Sequence, residues 1–228
     1  MNSLAMPQPN RQSTRALPFS RLRASVDDLY PRVFDAILDQ RIDTRFTEES
    51  LGQMFNASRT DIRRVLTQLS HQQIVVLRAN HRPRLADVNV EQTRQTLHAR
   101  RLTETMLVHL ASQQPRADDV KRLRTLIERE RQAAEQHRRG AAIRLSGEFH
   151  LRLAEMAGNA PLAHFLGSLV PLTSLAIARC DADALACCAW REHVAIVGAV
   201  ECRDVAKATL LLNRHLDNLG DTLLGCVG

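Results

Sequence analysis

Between Thr47 and Leu69 the chain reads TEESLGQMFNASRTDIRRVLTQL, two helix-length segments joined by a short Asn-Ala break. Few arrangements accommodate that pattern. Thr47 can cap the first segment, with Glu48 and Glu49 at the positive end of its dipole. Leu51, Met54 and Phe55 then share one helical face. Asn56 is a helix-ending residue. Ser58 can cap the second segment, with Asp61 at the third helical position. Ile62, Val65, Leu66 and Leu69 make the second apolar stripe, while Arg59 and Arg63, four apart, project from one solvent face. This is a helix-turn-helix pattern, with two guanidiniums where a recognition helix meets base edges and phosphates. A helical hairpin with merely solvated arginines satisfies the same periodicity.

The flanking sequence separates these readings. Gln73 to Leu77 (QIVVL) predicts a short strand, Arg78 to Arg84 a basic turn, and Leu85 to Val88 a returning strand. Two helices followed by a basic hairpin make a winged helix. From Arg59 to Arg84 there are six arginines and a single acid, Asp61. Motif, wing and charge together point to nucleic acid. Residues 1–88 carry a net charge of +4 and residues 89–228 only +2, so the basic excess sits with this module.

The segment Leu29 to Val88 resembles the winged-helix domain of GntR-type bacterial transcription regulators. The family's run G-V-S-R-T-P-V-R-x-A-L is matched by Asn56 to Leu66, with Ser58, Arg59, Thr60, Arg63 and Leu66 identical. The resemblance implies that Arg59 and Arg63 read the operator; Ser58 and Thr60 are expected to contact DNA beside them, and Arg82 and Arg84 in the wing to act chiefly on phosphate. Glu49 stands where some relatives carry a DNA-contacting arginine.

The remainder reads as helix throughout: Asn89–Ser112, Asp118–His137, Ala141–Met156 after a break at Gly140, Leu162–Arg179, Ala184–Glu201 and Asp204–Leu224. Val90, Thr93, Leu97, Leu102, Met106 and Leu110 are the periodic positions of the first of these. The expected fold is mainly α: a tail over 1–24, a winged helix-turn-helix over 25–88, and an antiparallel helical bundle over 89–228. No apolar run approaches the length of a membrane span, and the polar N-terminus is no signal peptide. The five cysteines, odd in number and without a CxxC, read as reduced thiols of a cytoplasmic protein. A redox role for Cys187 and Cys188 is the minor alternative.

His150, His193 and His215 each lie beside apolar residues on a helix of this second part. Three converging imidazoles suit Zn²⁺ or Ni²⁺, whereas three unrelated core histidines would give the same spacing. The segment from about residue 89 to 226 resembles the FCD ligand-binding domain of the FadR branch of GntR regulators. The matching pieces are Arg100 to Glu104, Glu148 to Leu153, Ala157-Gly-Asn159, Glu192-His193 and Ala206 to His215. That resemblance implies a metal held by His150, His193 and His215, a small carboxylate effector near Arg100, and a homodimer on a pseudo-palindromic DNA operator. Ser146 occupies the place of the family's Asp or Asn ligand, so the fourth position falls to water or to the effector. Neutral imidazole is the ligand form, so occupancy is expected to fall below about pH 6.5. Arg144 reads as a surface cation and Arg100 as the partner of Glu104.

The functional expectation is a ligand-responsive, non-enzymatic repressor released by a small organic acid. The alternatives are a metal-dependent hydrolase using the histidines, with Glu148 or Glu192 as base, and an architectural DNA binder without a ligand. The chain contains no HExxH.

Overall fold

The computed structural model describes residues 26–180 and 183–227; the N-terminal tail and the side chains of Cys187 and Cys188 lie outside the described part. Helices α1 (Val26–Leu38), α2 (Glu48–Phe55) and α3 (Arg59–His71) precede a two-stranded antiparallel wing, β1 (Val75–Val76) and β2 (Arg84–Leu85). Six helices follow: α4 (Val90–Gln113), α5 (Ala117–Glu135), α6 (Arg139–Met156), α7 (Ala160–Arg179), α8 (Asp183–Glu201) and α9 (Val205–Val227).

Local chemistry sets the motif. Thr47 Oγ1 accepts from the Ser50 N–H, and the Ser50 hydroxyl accepts from the Thr47 N–H, a reciprocal cap. Asn56 ends α2 in the left-handed region at φ 51°. Ser58 accepts from the Asp61 N–H at the start of α3. Ile62, Val65, Leu66 and Leu69 are buried against Leu29, Val33, Ile37 and Leu38 of α1. Met54 departs from the expected stripe: it is half exposed, at the edge of the face that buries Leu51 and Phe55.

This core does not stop at the wing. Ile143, Leu175 and Ala178, from α6 and α7, belong to the same buried cluster. Gly140, read from sequence as a break, lies inside the first turn of α6. Its N–H donates to Asp39 Oδ1 at 2.5 Å, so an acid from the winged helix caps α6. Arg139 donates to the terminal carbonyls of Ile177, Ala178 and Cys180, and Gln40 Nε2 also reaches Ala178 O. Arg144, expected on the surface, pairs with Asp35 of α1 at 2.5 Å.

In the bundle, α4 packs on α9 and α7, and α5 on α6 and α8. The expected stripe of α4 is displaced: Val90, Leu102 and Met106 are exposed. Thr93 and Leu97 of that stripe are buried, and Thr96, Arg100, Thr103, Glu104, Leu107 and Val108 complete the inner face. Polar residues on the inner face concealed the true period. One apolar run is longer than the sequence reading allowed: Ala160–Arg179 is long and apolar enough to span a bilayer by length and composition. In this fold it packs against α4 and α6. The thiol reading is corrected as well: Cys180 and Cys226 form a disulfide, with Cα atoms 5.7 Å apart. The ends of α7 and α9 meet, although 46 residues separate the two cysteines in sequence. Cys202 is free and exposed.

Candidate metal centre and nucleic-acid interface

His150 on α6, His193 on α8 and His215 on α9 converge, all three buried, with ligand atoms within 4.8 Å of one another. Ring centroids stand 5.3, 5.2 and 4.9 Å apart. Each Nδ1 meets its own carboxylate: His150 with Glu104 at 2.5 Å, His193 with Glu130 at 2.8 Å, and His215 with Glu192 at 2.5 Å. A carboxylate only accepts, so each Nδ1 carries the proton and donates it. The three Nε2 atoms therefore present lone pairs to a common centre. His150 and His215 Nε2 lie 3.3 Å apart, and His193 Nε2 has no hydrogen-bond partner among the described residues.

Opposed lone pairs at that distance repel unless a cation lies between them. The separation matches that of two nitrogens on a tetrahedral ion with bonds of about 2.0–2.1 Å. Three carboxylates against the Arg100 guanidinium leave a formal charge of −2, which a divalent cation balances. The carboxylates fix tautomer and ring orientation, the usual support of histidine ligands. Sequence reasoning missed Glu130, which comes from α5, a helix outside the matched motif pieces. It also assigned Glu104 only to Arg100. In the structure that carboxylate bridges Arg100 Nε at 2.7 Å and His150.

The electrostatics favour neutral rings. Burial pushes the His150 imidazole from 6.5 down to about 3, against the pull of Glu104. Burial likewise lowers His215, opposed by Glu192. Burial alone would raise Glu104, but Arg100 and His150 hold it at about 2. The shifts of His150 and His215 keep both rings in the unprotonated form that a metal requires.

A cavity of about 390 Å³ opens onto the centre, lined by Arg100, Ser146, His150, Ser174, His215, Asn218 and apolar residues that include Ile143, Ile177 and Leu219. Arg100 is buried, and its Nη2 has no partner among the described residues. Ser146 lies on this lining one turn before His150, as expected from sequence. Neither proposed hydrolytic base is free: Glu192 binds His215 and Asn218, and Glu148 pairs with Arg144 and Arg152.

At the other end, a groove of about 1150 Å³ runs between α3 and the wing, lined by Arg59, Arg63, Arg78, Arg82 and neighbouring residues. Arg59 and Arg63 are exposed, as is Thr60, and Ser58 is spent on capping. Arg82 is exposed in the wing turn. Arg84 differs: its guanidinium is engaged by Asp87 and the Leu85 carbonyl.

The comparisons agree with this layout. The FCD domain family model matches residues 95–218. No curated protein sequence matches significantly. Among solved structures, McbR/YncC of E. coli superposes with a TM-score of 0.69 at 15% identity, covering 87% of this chain and 96% of that one. A putative GntR transcriptional regulator from Rhodococcus sp. RHA1 gives 0.69 at 17%, covering 88% and 97%. Lar, which controls expression of the Listeria monocytogenes agr system, gives 0.56 at 14%, covering 90% and 98%. At these identities the likeness establishes fold: a winged helix ahead of a helical bundle, as in GntR regulators. With more than half its length matched by the family model, this chain belongs to the FCD domain family.

Proposed function

We propose that this chain is a ligand-responsive transcription regulator, a homodimeric repressor in which a metal-assisted effector site controls operator binding. The observation that supports this best is the double use of α6. One face carries Ser146 and His150 into the cavity; its first turns hold the winged helix through Gly140, Ile143 and Arg144. A change at the centre that moves α6 is therefore felt by α1. His150, His193 and His215 would hold Zn²⁺ or Ni²⁺, and the metal supplies Lewis-acid attraction for an anion. A small carboxylate would engage the metal and the free edge of Arg100 through charge-assisted bonds, completing the set that Ser146 leaves open. Two copies would place two α3 helices in successive major grooves of a pseudo-palindrome. Linkage requires the ligand to bind the DNA-competent and incompetent geometries unequally.

Titrating duplex selected from a random-sequence pool, with and without Zn²⁺, tests the reading. Selection should enrich a two-fold-symmetric site, and metal should change its affinity. A chain that enriches no sequence would refute the proposal. On the selected site Arg63→Ala should cost about 1–3 kcal/mol, the worth of a bidentate base contact. Arg82→Ala should instead weaken selected and random duplex alike and flatten the salt dependence by about one unit of slope. Given the engagement of Arg84 with Asp87, Arg82 should carry more of this effect than Arg84.

A further inference from the structure

Both arginines assigned to recognition are held by one carboxylate. Glu48 Oε2 accepts from Arg59 Nε at 2.8 Å. The same carboxyl group takes Arg63 Nε and Nη2, each at 3.0 Å. Glu48 is the first residue of α2, set there by the Thr47–Ser50 cap. Its side chain is 21% exposed, against 79% and 62% for Arg59 and Arg63. The acid thus sits behind the two cations, toward the protein, and leaves them facing the groove.

The geometry of the contact matters more than its charge. A guanidinium has five N–H donors in a rigid fork. Glu48 occupies the side edge of Arg63, Nε and one Nη2 hydrogen, which leaves the end edge, Nη1 and the other Nη2 hydrogen, free. That free edge is the pair of parallel donors that matches guanine O6 and N7. Arg59 loses only Nε and keeps both Nη groups. Two like charges one helical turn apart would otherwise splay. A common acceptor holds them side by side and removes rotamer freedom before DNA arrives.

We propose that Glu48 is a specificity-determining positioning residue: its carboxylate buttresses Arg59 and Arg63 so that they present fixed forks to base edges rather than reaching for any phosphate. The inference rests on the reading of α3 as the recognition helix. Glu48 stays ionised because the hydrogen bonds from Arg63 and Arg59 lower its pKa.

The test uses the full-length chain, a duplex selected by the wild-type chain from a random pool, and an unselected duplex of equal length. Glu48→Gln should bind the unselected duplex more tightly, with a steeper salt dependence as the freed arginines take phosphates. Its ratio of selected to unselected affinity should fall about tenfold, within the range carried by one bidentate contact. Glu48→Asp keeps the charge but not the reach, so its ratio should fall similarly. An unchanged ratio in Glu48→Gln, or a ratio fully restored in Glu48→Asp, would overturn the positioning role. Arg63→Ala separates the two levels of the argument. If it leaves selected binding intact, the recognition-helix reading itself fails; if it loses binding while Glu48→Gln discriminates normally, only the role of Glu48 fails. Melting curves of the two Glu48 variants should stay close to the wild type, because Glu48 lies outside the buried cores and Gln removes only one of two acids from the first turn of α2.

Discussion

His193→Ala is expected to lower divalent-metal affinity by on the order of a hundredfold or more. A structural site is worth about 10–16 kcal/mol shared among three or four ligands, so one ligand accounts for several kcal/mol. Glu130→Gln should cost about ten- to a hundredfold by removing the acceptor that fixes His193. Equilibrium dialysis against Zn²⁺ and Ni²⁺ measures both. The pair is informative because His193 also stacks on Phe149, with ring centroids 3.9 Å apart, so its loss opens the core. Glutamine at 130 preserves the volume and alters the acceptor. Metal binding that is indifferent to Glu130→Gln would show that the converging lone pairs are not a coordination set. The pH dependence follows from His150, whose pKa is held at about 3 in the fold against 6.5 in the free side chain. A depressed imidazole pKa makes the unfolded chain bind more protons, so the metal-free fold loses stability as pH drops from about 6.5 towards 3. Glu104, held at about 2 against 4.5, adds a second loss below about pH 4.5. Metal bound to the unprotonated rings of the fold adds stability on top of this. Thermal melts at pH 7 and pH 5, with and without Zn²⁺, should show the metal-free midpoint falling at pH 5 and a Zn²⁺-induced rise at both.

The sequence made some parts of this molecule readable and concealed others, for reasons that are physical. The winged helix was legible because its signals are local. Thr47, Asn56 and Ser58 act on backbone groups within three residues of themselves, and the stripe of α3 is wholly apolar. The face of α4 was misread because its inner surface carries Arg100 and Glu104, a buried pair that serves the centre. An apolar period cannot register a face whose purpose is to hold charge. Leu102 and Met106 then looked like core and proved exposed. The three histidines were placed by resemblance, since nothing in their spacing links three helices. Glu130 could have been suspected only as a lone acid among the buried positions of α5. The disulfide between Cys180 and Cys226 and the Arg144–Asp35 pair depend on how helix ends meet, which sequence spacing does not encode.

Gly140→Ala is expected to produce the largest structural change of any glycine-to-alanine substitution among the described residues. A Cβ at that position would lie 2.3 Å from the Asp35 carbonyl oxygen and 2.7 Å from Asp39 Oδ1. The first neighbour is backbone inside α1 and cannot swing aside, so α1 must lift from α6. Overpacking of this kind costs about 1–3 kcal/mol. The consequence is wider than stability, because the movement strains three contacts between winged helix and bundle together. These are the Asp39 cap on Gly140, the Arg144–Asp35 pair and the burial of Ile143 beside α1. The centre itself lies more than two helical turns further along α6, so metal affinity should stay near wild type. DNA affinity should become insensitive to metal, since the head no longer reads the position of α6. Arg144→Ala, which removes one contact without a clash, should give a partial version of the same uncoupling. The measurement is the ratio of selected-duplex affinity with and without Zn²⁺ in the three proteins. A graded decline of that ratio towards one, from wild type through Arg144→Ala to Gly140→Ala, is the signature of transmission through α6. Full metal response in a Gly140→Ala protein that still binds Zn²⁺ would mean that the signal takes another route, through α4 and the segment that follows the wing.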